Sequence, residues 1–174
     1  MTDAAALPEP GPDNDFCAGH ARLLRDSLRR WTGCDLLDAA PALTGGTPSS
    51  EPITGDDIGR RLFEAPFALL SHGVGSDPTF KYANRTALRL FELTWPQLLA
   101  TPSRLSAEPV NQPERARLLT EVAARGFIDD YAGVRISRTG RRFCIRRATV
   151  WNLVDDTGTP CGQAAMFADW EPVA

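Results

Sequence analysis

The run FIDDYAGVRISRTGRRFCIRRATVWNLVDDTGTPCGQAAMFADW, residues 127–170, decides the fold. From Phe127 to Ser137 residues alternate, with Ala132, Val134 and Ile136 on one face. Thr139-Gly140 marks a hairpin turn. Arg142 to Val154 is the longest strand: Phe143 and Ile145 fall on one face, Ala148 and Val150 on the other. The phase slips at Arg146-Arg147, which predicts a β-bulge. Asp155, Asp156 and Gly158 form the next turn, and Gly162 to Trp170 is the third strand. Turns this short join antiparallel neighbours, so the segment is a three-stranded meander.

Upstream of the meander, Asn111 and Glu114 have capping-box spacing. The helix they open buries Leu118, Leu119, Val122 and Ala123, carries a Glu121–Arg125 pair, and ends at Gly126. A looser stretch with Trp95, Pro96, Pro102 and Pro109 precedes it. Asn84 caps a helix bearing Ala87, Leu88 and Phe91. Before that, Phe67 to Ser71 and Phe80 to Ala83 read as strands, with Phe80 and Tyr82 on one face. Gly73, Gly75, Asp77 and Pro78 between them predict a hairpin. A short helical turn spans Asp57 to Glu64.

The N-terminal third divides by composition. Residues 1–15 are acidic and Pro-rich and read as a disordered tail. In 16–34, Phe16, His20, Leu23, Leu24, Leu28 and Trp31 recur at helical spacing, with arginines elsewhere on the circumference and Gly33 as the stop. Residues 35–55 hold Pro41, Gly45, Gly46, Pro48, Pro52 and Gly55 and read as a linker, leaving 56–174 as the folded domain.

The chain has 174 residues, 43% hydrophobic and 24% charged. That suffices for one domain with an extension and a core independent of disulfides or metal. A net charge of −3 argues against a general nucleic-acid surface. Lys81 is the one lysine among 19 basic residues, which we read as GC-rich coding. Cys17, Cys34, Cys144 and Cys161 form no CxxC pair, and their apolar or small neighbours predict buried packing. No basic start with an apolar run marks a signal peptide, and no apolar run approaches the roughly 20 residues of a membrane helix. The expected compartment is the cytoplasm.

The element order is strand, strand, helices, then three strands. Together with Asp77 to Asn84, Ala87, Leu88 and Phe91, it resembles a PAS domain. Residues 66–170 more specifically resemble the MEKHLA domain family, in its stand-alone bacterial type. The segments that carry the likeness are Pro66 to His72, Tyr82 to Glu92, Pro102 to Pro109, Tyr131 to Phe143, Ala148 to Asp155 and Cys161 to Trp170. The hexapeptide that names the family is not present. The resemblance implies an α+β fold: a PAS-like five-stranded antiparallel sheet with a helical insert, preceded here by the amphipathic helix. It also implies a sensory or interaction role rather than a reaction. No homeodomain or zipper heptads accompany it, and with 66–170 assigned no room is expected for an output domain. Signalling would then pass through contacts with another protein.

Catalytic motifs are weak. Gly73-Val74-Gly75 lacks a third glycine and a following helix, and no Gly-x-Ser-x-Gly elbow occurs. Ser71 and His72 are strand neighbours and point to opposite faces. Asp129-Asp130 is subject to the same argument. The two histidines make no zinc spacing. We therefore expect no catalytic residue and no metal site. Residues 84–126 contain neither Cys nor His, against a Cys-adduct flavin or a helix-His haem. PAS domains enclose ligands between the concave sheet face and the insert. On that ground Phe80, Tyr82, Arg135, Trp151 and Gln163 are candidate pocket-wall residues. Arg104, in a stretch between prolines, is a candidate carboxylate or phosphate holder; a solvated Arg or a pair with Glu108 is its bland alternative. The longest strand is apolar on both faces, so the second face needs the N-terminal helix, a partner subunit, or both. That predicts a homodimer, with a small-molecule ligand and a further protein partner, and without nucleic acid or membrane. Two other readings stand beside the sensor: a purely structural dimerisation domain and an unrecognised enzyme.

Overall fold

The alternation read from residues 127–170 becomes the larger part of one antiparallel sheet. A computed structural model describes residues 6–38 and 57–174. The strands are β1 (Ala68–His72), β2 (Phe80–Ala83), β3 (Phe127–Ile136), β4 (Arg142–Val154), β5 (Pro160–Phe167) and β6 (Asp169–Pro172). Their order is β2-β1-β5-β4-β3, with β6 also on β4. The sheet therefore has six strands rather than five. Beyond Ala168 the chain of β5 continues as β6 along the first half of β4, where Phe143 to Arg146 pair with Pro172 to Asp169.

The bulge expected at Arg146-Arg147 is present. Tyr131 pairs with Ala148 and Gly133 with Ile145, so β4 carries one extra residue, and Arg147 takes φ 48°. A second bulge at Asp129-Asp130, between the pairs Ile128–Val150 and Tyr131–Ala148, was not foreseen. Asp130 takes φ 56° and both carboxylates are exposed, so simple alternation fails there. A third irregularity lies in the first hairpin. Ser71 pairs with Tyr82 but His72 with Phe80, leaving Lys81 as the odd residue. Phe80 and Tyr82 therefore sit on opposite faces, not one.

The helices are α1 (Ala18–Thr32), α2 (Ile58–Phe63), α3 (Arg85–Phe91), α4 (Trp95–Ala100) and α5 (Gln112–Arg125). Helix α1 ends at Gly33 in the left-handed region, φ 74°. It covers the outer face of the sheet by burying Ala21, Leu24, Ser27 and Leu28. Trp151 Nε1 donates to the Leu24 carbonyl at 3.2 Å, and Trp31 Nε1 donates to the Asn152 carbonyl at 2.9 Å. The second apolar face is thus covered from within the chain. Helix α4 lies in the stretch read as loose: Thr94 and Gln97 form a capping box and Pro96 occupies the first turn, where its missing N–H costs nothing. The box expected at Asn111 does not form, because Asn111 is itself in a helical conformation and its side chain caps nothing.

Of the tail expected over 1–15, residues 1–5 lie outside the described residues, and the rest is anchored at Leu7, which packs against the core. The Leu7 carbonyl accepts a hydrogen bond from Trp95 Nε1 at 2.9 Å, and Pro12–Cys17 forms a 3-10 turn. Of the expected linker, Leu36 and Leu37 are buried, and residues 39–56 lie outside the described residues. Of the cysteines only Cys17 is buried; Cys34 is exposed, because it follows the helix stop.

Candidate functional site

The inner face of the sheet and α5 enclose a cavity of about 60 Å³. Its apolar wall comes from Leu70, Phe80, Phe91, Leu118, Ile145, Val150 and Phe167. Polar groups reach it from four elements: His72 on β1, Tyr131 and Arg135 on β3, Gln163 on β5, and Arg115 on α5. At roughly 10–15 Å³ per water-sized occupant, the space takes about four to six non-hydrogen atoms.

Sheet register sets the first polar row. His72 pairs with Gln163, and Gln163 with Asn152. Gln163 Nε2 donates to the Leu119 carbonyl (3.0 Å) and to Asn152 Oδ1 (3.1 Å), while Asn152 Nδ2 donates to the Val122 carbonyl (2.9 Å). These bonds hold α5 over the sheet. His72 Nδ1 lies 2.8 Å from the Gly73 carbonyl, which only accepts, so Nδ1 carries the proton and Nε2 is a bare acceptor. Nε2 is buried without a partner among the described residues. Burial lowers the His72 pKa, the Gly73 bond opposes this, and the charge of Arg115 adds to the lowering.

The second row is Tyr131, Gly133 and Arg135, alternate residues of β3. Arg135 is 7% exposed. Its Nη1 donates to the Val134 carbonyl (2.8 Å), its Nη2 to the Tyr131 hydroxyl (3.2 Å), and Cζ lies 5.4 Å from the Tyr131 ring centroid. Gly133 makes this possible: a Cβ there would stand 2.3 Å from the Tyr131 hydroxyl and 3.1 Å from Arg135 Nη1. Arg115 makes no side-chain hydrogen bond or ion pair among the described residues. Burial and then the charge of Arg135 bring its pKa down to about 10.

The MEKHLA domain family model matches residues 18–172. The chain belongs to the MEKHLA domain family. The match takes in α1 as well as the 66–170 segment, in keeping with the way α1 completes the sheet. Two curated relatives are the homeobox-leucine zipper proteins ATHB-14 and ATHB-9 of Arabidopsis thaliana, 29% and 27% identical over 95% of this chain. The chain spans about a fifth of their length, 20% and 19%. Among solved structures, the PAS domain of a protein from Colwellia psychrerythraea superposes with TM-score 0.53 at 10% identity, over 66% of this chain and 92% of that one. An RNA-binding light-oxygen-voltage receptor gives 0.56 at 18% identity, over 72% and 36%. The fold is the PAS fold.

In this MEKHLA domain the six candidate residues divide. Phe80, Arg135 and Gln163 meet at the cavity. Tyr82 does not: the Lys81 irregularity turns it to the outer face, where its ring lies 5.3 Å from His20 and 6.2 Å from Trp95. Trp151 is likewise on the outer face, fully buried under α1. Arg104 is about half exposed and pairs with Asp77 at 2.9 Å on an outer groove; Glu108 pairs instead with Arg142. Ser71 bonds His20 at 2.9 Å rather than His72.

Arg115 and His72 were missed as cavity residues. A signal for Arg115 existed: it stands three, four and seven positions before Leu118, Leu119 and Val122, on the apolar stripe of α5. Among the described residues no helix is long and apolar enough to cross a membrane.

Proposed function

We propose that this MEKHLA domain is a sensory module that binds a small molecule in the cavity and passes its occupancy to other proteins through surface contacts. One observation carries the reading: polar groups converge on a largely apolar space between the sheet and α5, and the buried Nε2 of His72, one of its lining residues, has no partner among the described residues. A purely structural core has no reason to aim such groups at a void, since each costs free energy. On this reading the domain catalyses no reaction.

A route from cavity to surface supports the proposal. Asn152 reaches α5 through its side chain, and its backbone carbonyl accepts the Trp31 bond from α1. Its backbone N–H donates to the Gly126 carbonyl at the end of α5. Movement of α5 over an occupant is therefore felt by α1 on the opposite face. A homodimer stays part of the proposal, its contact made by surface other than the apolar face of α1, which the sheet already occupies.

Native mass spectrometry of freshly purified protein, followed by analysis of what denaturation releases, tests both points. We expect a retained small molecule at one per chain and a dimeric mass. An Ala165→Leu variant, which fills the cavity beside Leu70, is expected to lose the ligand and keep the fold. A ligand-free protein whose behaviour Ala165→Leu leaves unchanged overturns the sensory reading, and a monomeric mass overturns the dimer.

A further inference from the structure

Ten arginines of the described chain stand within 4.0 Å of a carboxylate, among them Arg25, Arg60, Arg104, Arg125 and Arg142. Arg115 and Arg135, which line the cavity, have no such partner among the described residues. The usual order is reversed. Exposed guanidiniums such as Arg104 and Arg125 have counter-ions, whereas Arg135, which is buried, and Arg115, which is half-buried, face one space and have none among the described residues. Arg135 uses one N–H on Val134 and one on Tyr131, which leaves donors of its fork free, and Arg115 commits none. An internal carboxylate would resolve the conflict, yet no Asp or Glu lines the cavity.

We infer that the cavity is a carboxylate site, in which Arg115 and Arg135 hold the anion of a small monocarboxylic acid and His72 accepts a hydrogen bond from a hydroxyl on it. The inference rests on the sensory reading and names its ligand class. Volume restricts the acid to about four to six non-hydrogen atoms. The apolar wall of Leu70, Phe91, Ile145 and Val150 suits a short hydrocarbon part and disfavours an inorganic dianion, whose remaining oxygens would face hydrocarbon. The bare Nε2 of His72 wants a donor, which a hydroxy acid supplies and an unsubstituted acid does not. Binding of the anion lets the mutual repulsion of the two guanidiniums be offset from one point between them.

Titration calorimetry of the full chain at fixed ionic strength tests this with four probes: propionate, lactate, inorganic phosphate and 1-propanol. We expect one-to-one saturable binding of both acids, lactate the tighter, and none of phosphate or propanol. Arg115→Met is expected to weaken acid binding about 30-fold or more. Arg104→Met, at the outer groove, is expected to leave it unchanged. His72→Phe is expected to erase the preference for lactate while retaining propionate. If Arg135→Met fails to fold, the Arg115 and His72 variants carry the test alone. Absence of binding by either acid, binding unaffected by Arg115→Met, or equal binding of phosphate overturns the carboxylate assignment. Should native mass spectrometry then still find a retained neutral molecule, the sensory reading stands without it; if nothing is retained, both fall.

Discussion

His20 on α1 and Ser71 on β1 share a hydrogen bond of 2.9 Å across the outer face of the sheet, with the His20 ring stacked 5.3 Å from Tyr82. This bond pins the N-terminal helix to the same strand whose next residue, His72, faces the cavity. It also makes the docking of α1 sensitive to pH. Burial lowers the His20 pKa from 6.5 to about 4. Between those values the unfolded chain binds a proton that the folded chain refuses, so stability is complete above pH 6.5 and falls as pH drops toward 4. His72 contributes in the same direction. The loss for His20 is on the order of 2 kcal/mol after allowance for its partial exposure. Urea unfolding at pH 7.5 and pH 5 measures it. His20→Gln keeps a partner for Ser71 and is expected to flatten most of the slope; an unchanged slope would sink the assignment.

Asn84 is the second joint of the fold. Its Oδ1 accepts from the N–H groups of Ala87 (3.0 Å) and Leu69 (3.1 Å), and its Nδ2 donates to the carbonyls of Phe67 (2.7 Å) and Leu62 (3.1 Å). One fully buried amide thus caps α3 and ties α2 to β1. Asn84→Ala strands four buried backbone groups and is expected to cost about 2–4 kcal/mol. Asn84→Asp keeps the acceptor but sets a carboxylate against two carbonyls, and should do no better at neutral pH. Denaturant midpoints rank the three proteins.

Gly162 takes φ 149°, and a Cβ built on it would stand 2.0 Å from the His72 carbonyl. Any side chain there wedges β5 from β1 beside the cavity. Gly162→Val is expected to destabilise by about 2 kcal/mol or more through the strained conformation alone. The wedge should also displace His72 and Gln163 together. Chemical shifts of the His72 ring in the variant report whether they move.

What the amino-acid pattern made legible was whatever depends on period and punctuation. The meander, the first hairpin, the helix stops at Gly33 and Gly126, and the bulge at Arg146-Arg147 all follow from alternation and its interruption. What it hid was facing. One extra residue reverses a strand's sides, and neither Lys81 nor Asp129-Asp130 interrupts an apolar pattern clearly enough to reveal a bulge. That is why Phe80 was placed beside Tyr82, and why Tyr82 and Trp151 were assigned to a cavity that the sheet separates them from. Helix α4 was hidden for another reason: it lies in a stretch that reads as loose among Pro96, Pro102 and Pro109, although Thr94 and Gln97 make Pro96 a first-turn proline. Of the six candidate residues, Phe80, Arg135 and Gln163 line the cavity, since they lie on strands that the alternation located and their register turns them to its inner face. Arg115 was passed over because an arginine on a helix is ordinarily solvated, and only its place on the stripe of Leu118 and Val122 says otherwise.

Two unpaired like charges that share one space, Arg135 buried and Arg115 half-buried, should destabilise the empty protein. Burial and the charge of Arg135 already bring the Arg115 pKa down to about 10, so the cationic form is under strain in the absence of an anion. Arg115→Met keeps the length of the side chain, removes the charge, and extends the apolar face of Leu118 and Leu119. Replacement of buried ionic groups by packed apolar residues is often neutral or stabilising by about 1–4 kcal/mol. We expect the variant, measured without any added acid, to exceed the parent in urea midpoint by an amount near the lower end of that range, because Arg115 keeps some contact with solvent. Arg104→Met removes an exposed pair with Asp77 and should change stability by less than about 1 kcal/mol in either direction. A parent more stable than Arg115→Met would mean that the guanidinium already has a compensating partner, and the strain argument for this cavity would then be lost.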